Sequence, residues 1–116
     1  MNNIHDFYQM KKNKNKITMV TAYDYSSALL LEKSDVDCVL VGDSAAMVMH
    51  GYPNTTHATM AMMVFHTSAV ARGLQNTFLI ADMPFMSYRE SHSNTIKSVT
   101  ALIQAGAHAI KLEGAK

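Results

Sequence analysis

Four short apolar segments recur along the chain, and each is followed by polar residues and then by a segment with helical spacing. The apolar segments lie at 17–23, 38–42, 78–82 and 109–113. Continuous apolar runs of this length are typical of strands that are covered on both faces, so we predict four strands.

The segments between the predicted strands carry helical signals. Asp24 and Ser93 are predicted N-caps, and Gly73 and Gly106 are predicted helix stops. The predicted helices are Tyr25–Lys33, Thr59–Arg72 and Ser93–Gln104, with a long loop at 44–57 and a solvated, Lys-rich segment at 10–16. Alternating strands and helices predict an α/β protein with a parallel sheet, either doubly wound or closed as an eightfold barrel.

Length and composition narrow the class of protein. The 116 residues fit one domain, and 48% apolar with 16% charged residues predicts a globular chain. A net charge of +1 gives no long-range field to recruit nucleic acid, and no apolar run approaches the ~20 residues that span a membrane. The single cysteine, Cys38, excludes an intrachain disulfide framework and favours a reducing compartment, the cytoplasm.

Three carboxylates follow or end predicted strands: Asp43, Asp82 and Glu113. Because ligand sites of parallel α/β sheets lie at the carboxyl ends of strands, we expect these side chains to meet at one mouth. Oxygen ligands favour Mg²⁺, with Mn²⁺ or Ca²⁺ as alternatives. Lys111 lies two residues before Glu113 and shares its face, while Ser44 adds a hydroxyl and a backbone N–H. Together they predict a 2-oxo acid chelated to a metal.

Each of these residues also has a purely structural interpretation. An acid at a strand end often caps the next helix, and only the coincidence of three favours a site. Gly42 is interpreted as a turn glycine and Cys38 as an inert core thiol. The histidines lack the spacing of a metal-binding helix and are interpreted as loop or packing residues: His50, His57, His66, His92 and His108.

Several motifs in order carry a family resemblance. They are Thr21–Tyr25 (TAYDY), Val41–Ser44 (VGDS), His66–Thr67, Ala69–Val70, Arg72–Gly73, Ala81–Met86 (ADMPFM) and Lys111–Gly114 (KLEG). With these motifs the chain resembles the ketopantoate hydroxymethyltransferases (3-methyl-2-oxobutanoate hydroxymethyltransferases), from about residue 17 to residue 114.

The resemblance implies the amino-terminal half of a (β/α)8 TIM-type barrel, in which residues 1–116 form a single incomplete domain. It implies hydroxymethyl transfer from 5,10-methylene-tetrahydrofolate to 3-methyl-2-oxobutanoate through a magnesium-chelated enolate, a step of pantothenate biosynthesis. It also implies a homo-oligomer for the complete enzyme.

The family's site residues are implied at matching positions. The metal ligands are Asp43, Asp82 and Glu113, and the contacts to the keto acid are Asp43, Ser44, Asp82 and Lys111. The family's proton-abstracting glutamate is expected beyond Lys116, so the resemblance implies no general base within the 116 residues.

Two alternatives to an active hydroxymethyltransferase stay open at this stage. The chain could be a truncated, inactive remnant of that enzyme. It could also belong to a related metal-dependent carbon–carbon lyase or mutase of similar barrel design.

Overall fold

A computed structural model describes residues 3–84 and 91–113 of the chain, and this part forms four parallel strands alternating with helices. The strands pair in chain order, each with the next, as in one half of a (β/α)8 barrel. The predicted fold class is therefore confirmed. The strands are β1 (Met19–Thr21), β2 (Cys38–Val41), β3 (Phe78–Asp82) and β4 (Ala109–Lys111).

The helices of the described residues have the following bounds. They are α1 (Ile4–Lys12), α2 (Tyr25–Glu32), α3 (Ala45–Val48), α4 (Met60–Gly73) and α5 (His92–Ala105), with a 3₁₀ turn at Thr55–His57. Helices α2, α4 and α5 pack on one face of the sheet, whereas α1 contacts Phe78, which points to the opposite face. Helix α4 lies between α2 and α5 and contacts both. Alternate strand residues meet these helices in a fully buried core that includes Val39, Val41, Leu79, Ala81, Met63, Val70 and Leu102. None of the helices in the described residues is long and apolar enough to cross a membrane.

The amino ends of the strands are joined by polar contacts. Asp37 Oδ2 accepts hydrogen bonds from the backbone N–H and the hydroxyl of Thr18, which ties the start of β2 to β1. The Glu32 carboxylate at the end of α2 accepts three hydrogen bonds from Asn76 and Thr77, just before β3. His108 Nδ1 accepts the Leu79 N–H. Hydrogen bonds between residues 19 to 45 positions apart therefore stabilise this edge of the sheet.

Helix α1 was not predicted. Its last residues lie in the segment at 10–16, which was interpreted as solvated. Asn3 and Asp6 form a reciprocal capping box at its start. The Phe7 ring packs edge-on against Phe78 of β3, with ring centroids 5.0 Å apart. The capping box and the contact between Phe7 and Phe78 thus stabilise a helix that has no buried residue.

The predicted start of α5 is wrong, and the 44–57 loop contains α3 and the 3₁₀ turn. Ser91, not Ser93, caps α5, with its hydroxyl accepting the Asn94 N–H. The predicted end of α4 at Gly73 is confirmed, but the glycine is not in a positive-φ conformation. A Cβ there would lie 2.6 Å from the Ala28 Cβ, so glycine permits close packing against α2. The motif residues Phe85, Met86 and Gly114 lie outside the described residues.

Candidate active site

The predicted site residues lie at the carboxyl ends of three adjacent strands. Asp43 comes two residues after the end of β2, Asp82 ends β3, and Lys111 ends β4. The sheet register pairs Asp82 directly with Lys111. Neighbouring residues in register point to the same face, so their side chains meet on the inner side of the sheet, away from the helices.

Asp82 is the centre of the group. It is 5% exposed, and its Oδ2 accepts the backbone N–H of Asp43 at 3.0 Å. Its Oδ1 lies 3.2 Å from Lys111 Nζ in an ion pair, and no further hydrogen bond from the described residues reaches this buried oxygen. A buried carboxylate oxygen that lacks a hydrogen bond costs folding free energy, unless a cation or a donor binds to it.

Lys111 bridges two carboxylates. Its Nζ is 3.7 Å from Glu113 Oε1 in addition to its contact with Asp82, and its side chain remains 41% exposed. Burial alone would lower the pKa of Lys111, but the negative charges of Asp82, Glu113 and Asp43 outweigh it and raise the pKa. Lys111 therefore stays a cation, as expected for a lysine that points inward and needs an anion.

Asp43 experiences the opposite balance. Burial is the largest cause that raises its pKa, and the charges of Asp82 and Glu113 raise it further, while Lys111 acts against both. Like charges at close range disfavour the ionised form of Asp43. Additional positive charge near Asp43 would therefore stabilise its carboxylate.

Glu113 lies at the rim of the group. Its side chain is 83% exposed and contacts Lys111. In the ranges 3–84 and 91–113, no three His, Cys, Asp or Glu side chains converge tightly enough to form a metal-binding cluster. The structure thus brings Asp43 and Asp82 together, with Glu113 joined to them through Lys111.

Gly42 has no side chain, and this allows Ser44 and Asp82 to lie close to its backbone. A Cβ at this position would lie 3.1 Å from Ser44 Oγ and 3.5 Å from Asp82 Oδ2. Gly42 does begin a turn, since its carbonyl oxygen accepts the Ala45 N–H at 3.0 Å, but its φ is not in the left-handed region. The missing side chain lets a hydroxyl and a carboxylate approach the same stretch of backbone.

The sequence interpretation missed a second set of contacts around Ser44. The Tyr23 hydroxyl lies 2.6 Å from Ser44 Oγ, and the Tyr23 carbonyl oxygen lies 2.7 Å from His66 Nδ1. His66 Nε2 in turn lies 2.9 Å from His50 Nε2. One signal was available: His66 lies on α4 between the buried Met63 and Val70, and a histidine on an apolar face needs a polar partner.

Comparison with known proteins gives one consistent family. A family model described as ketopantoate hydroxymethyltransferase matches residues 1–116. A 3-methyl-2-oxobutanoate hydroxymethyltransferase of Legionella pneumophila is 54% identical over 112 residues, covering 97% of this chain and 43% of the relative. One of the same name from Coxiella burnetii is 55% identical over 113 residues, covering 97% and 42%. The chain thus spans about two fifths of the length of these relatives.

Solved structures support the fold. Phosphoenolpyruvate phosphomutase from Streptomyces platensis subsp. rosaceus superposes with a TM-score of 0.74 at 15% identity, covering 96% of this chain and 38% of the other. A 2,3-dimethylmalate lyase, described as a member of the PEP mutase/isocitrate lyase superfamily, gives 0.68 at 16% identity, covering 91% and 37%. At such low identity these likenesses concern the fold alone.

Proposed function

Because the chain belongs to the ketopantoate hydroxymethyltransferase family, we propose that it forms the metal- and keto-acid-binding half of an enzyme that makes ketopantoate. That enzyme would transfer a hydroxymethyl group from 5,10-methylene-tetrahydrofolate to 3-methyl-2-oxobutanoate. The observation that carries the proposal is the buried Asp82 carboxylate, which is shared between the Asp43 N–H and Lys111 and keeps spare acceptor capacity on Oδ1.

Mg²⁺ is the proposed metal, held by Asp43 and Asp82 with Glu113 as the third acid. When bound, it would polarise the oxygens of a 2-oxo acid and make the adjacent C–H more acidic. The donor set fits: burial and the neighbouring negative charges disfavour the ionised form of Asp43, which a cation would offset, and oxygen donors suit a hard cation. Glu113 would have to turn from Lys111 to take part, and its exposure allows this.

The remaining residues would bind and orient the keto acid. Lys111 presents a permanent positive charge at the mouth, which stabilises negative charge on the substrate oxygens. The Ser44 hydroxyl can donate a hydrogen bond to an anionic oxygen. The general base is not assigned to any residue of this chain. The buried Cys38 supports a reducing compartment such as the cytoplasm.

The test uses the full chain joined at its carboxyl end to the part of the Legionella relative that follows the matched region. We expect this hybrid to form ketopantoate only with 5,10-methylene-tetrahydrofolate and Mg²⁺ present, measured by mass spectrometry of the product. Asp43→Asn should reduce kcat/KM about 100-fold or more. Asp35→Asn, at an exposed acid away from the site, is the matched control and should change it less than about twofold.

Other outcomes would separate the alternatives. Keto-acid turnover that ignores the folate would favour a lyase or mutase. If the hybrid folds but shows no turnover, while the complete Legionella enzyme is active in the same assay, the chain is an inactive remnant.

A further inference from the structure

The ring of His66 is held at both nitrogens although it lies inside the helical layer. It is 6% exposed and projects from the middle of α4. Its Nδ1 lies 2.7 Å from the Tyr23 carbonyl oxygen and its Nε2 lies 2.9 Å from His50 Nε2. His50 itself is exposed. A buried polar ring thus links the loop after α3 to the chain segment that leaves β1.

The hydrogen positions follow from the partners. A carbonyl oxygen only accepts, so His66 Nδ1 must carry the hydrogen and donate it to Tyr23. In the neutral ring Nε2 is then an acceptor, so His50 must donate from its own Nε2. The contact with His50 therefore stabilises the tautomer in which His66 holds the Tyr23 carbonyl.

The sheet does not fix Tyr23. Strand β1 ends at Thr21, and the Ala22 N–H makes a further bond to the Leu40 carbonyl at 3.1 Å. Tyr23 lies one residue further on, at an edge strand whose three residues are all exposed. Tyr23 thus lies between Ala22, which is bonded to β2, and Asp24, which caps α2, and the hydrogen bond from His66 holds its own carbonyl. The Tyr23 side chain reaches from there to Ser44.

The direction of the Tyr23–Ser44 hydrogen bond has a chemical consequence. A serine hydroxyl has one hydrogen to donate and can accept others. If the tyrosine donates to Ser44 Oγ at 2.6 Å, the hydrogen of Ser44 remains available for an anionic oxygen. If serine donates instead, that hydrogen is spent.

We propose that His66, supported by His50, is a positioning residue that sets Tyr23 to donate to Ser44, so that the Ser44 hydroxyl donates to the carboxylate or keto oxygen of the bound acid. This inference deepens the proposed function and rests on it. Tyr23 and His66 would then affect substrate binding through Ser44, without touching the metal ligands.

The first test examines His66 in the unliganded chain. Long-range ¹H–¹⁵N spectra of the imidazoles should show His66 with its hydrogen on Nδ1. His50→Leu should increase the population of the other tautomer. If His66 carries its hydrogen on Nε2 in the unsubstituted chain, the proposal is wrong, whatever the activity.

The second test measures steady-state kinetics of the hybrid enzyme. Tyr23→Phe and His66→Leu should each raise KM for the keto acid about tenfold, with kcat changed less, since each removes a contact that orients the Ser44 hydroxyl toward the anionic substrate. The double variant should be no worse than either single one, because both act through Ser44. His66→Asn, which keeps a donor near the Nδ1 position, should restore most of the affinity.

The controls distinguish this proposal from a structural role and from failure of the proposed function. His5→Leu, at an exposed histidine on α1, should leave KM unchanged. If the His66 variants lower only the unfolding temperature, or if their effects on KM add to that of Tyr23→Phe, the positioning role is refuted. No turnover by the unsubstituted hybrid would count against the proposed function. The tautomer of His66 would still test its positioning role in that case.

Discussion

Glu32 at the amino edge of the sheet and Asp43 at the carboxyl edge have pKa values that are shifted in opposite directions. At the amino edge, Glu32 Oε1 accepts hydrogen bonds from the Thr77 N–H at 3.1 Å and the Thr77 hydroxyl at 2.8 Å, and Oε2 accepts the Asn76 N–H at 2.9 Å. Burial alone would raise the pKa of Glu32, but these hydrogen bonds outweigh it and lower the pKa. This acid is paired with donors of its own chain.

At the carboxyl edge, Asp43 and Asp82 lie close to each other. The pKa of Asp43 is raised by burial and by the neighbouring negative charges, and Asp82 Oδ1 keeps capacity for a further partner. The difference indicates how to separate an acid that holds the fold from one that is kept for a ligand. The first has its charge stabilised by local donors, and the second lacks sufficient compensation until something binds.

Exchange of one acid at each edge should produce the largest contrast. In the hybrid enzyme, Asp82→Asn should reduce kcat/KM about 100-fold or more, since it removes a charge from the proposed metal site. Glu32→Gln should leave kcat/KM within about twofold at a temperature where both proteins are folded. Equal losses of kcat/KM in the two variants would remove the functional distinction between the edges.

Gly73, at the amino edge, and Gly42, at the carboxyl edge, offer a second contrast. We expect substitution by alanine to lower the unfolding free energy more at Gly73 than at Gly42. Gly73→Ala places a Cβ 2.6 Å from the Ala28 Cβ and 2.9 Å from the Tyr25 carbonyl oxygen, and overpacking of this kind should cost about 2 kcal/mol of unfolding free energy. Gly42→Ala meets the Ser44 hydroxyl at 3.1 Å, which can rotate, so it should cost less than about 1 kcal/mol.

Urea denaturation of the two glycine variants measures these costs. Adding Ala28→Gly should recover part of the Gly73→Ala loss, because it removes one of the two close contacts. If Gly42→Ala destabilises the chain as much as Gly73→Ala, the carboxyl edge is as tightly packed as the amino edge and the contrast fails.

Acidification should test the hydrogen-bonded state of Glu32. Because its folded pKa is lowered, ionised Glu32 contributes stability that is fully present above its unfolded pKa, near the ordinary value of 4.5, and is lost as pH falls through the folded pKa. Glu32→Gln should cost about 1–2 kcal/mol at neutral pH and show a smaller loss of stability between about pH 5 and 3. Denaturation midpoints at a series of pH values provide the measurement, and parallel pH profiles for the two proteins would contradict this assignment.

The smallest expected effect concerns Cys38, near the amino edge. Burial, and to a lesser degree the charge of Asp37, raises the pKa of the Cys38 thiol, so little reactive thiolate is present. A thiol reagent should therefore label the folded chain at least about tenfold more slowly than the urea-unfolded chain. Comparable labelling rates would show that the amino edge is open to solvent on the time scale of the assay.

Local sequence predicted the elements whose structure depends on local signals. The strands were predictable because both faces are apolar, and α2 because Asp24 caps it as expected. The α1 helix was missed because its contact between Phe7 and Phe78 joins distant parts of the chain. Ser91 and Ser93 are both adequate caps, and nothing in their spacing selects Ser91.

The site was predictable where strand ends and side-chain charge determine it. The carboxyl ends of β2 and β3 bring Asp43 and Asp82 together, and Lys111 meets the anion that an inward lysine requires. Residues that act across the fold could not be predicted from spacing. Tyr23 and Ser44 are 21 positions apart, and Tyr23 and His66 are 43 apart. The role of Glu113 as a metal ligand stays a prediction.

The pairing of each strand with the next one in the chain bears on how the protein is made. During synthesis, β1 has already emerged when β2 is made, and the same holds for β2 when β3 is made and for β3 when β4 is made. Each of the three pairings in the described part joins strands that are consecutive in the chain, so loop-closure costs stay small at these steps. The order of these strands therefore allows the edge that carries Asp43, Asp82 and Lys111 to assemble progressively during synthesis.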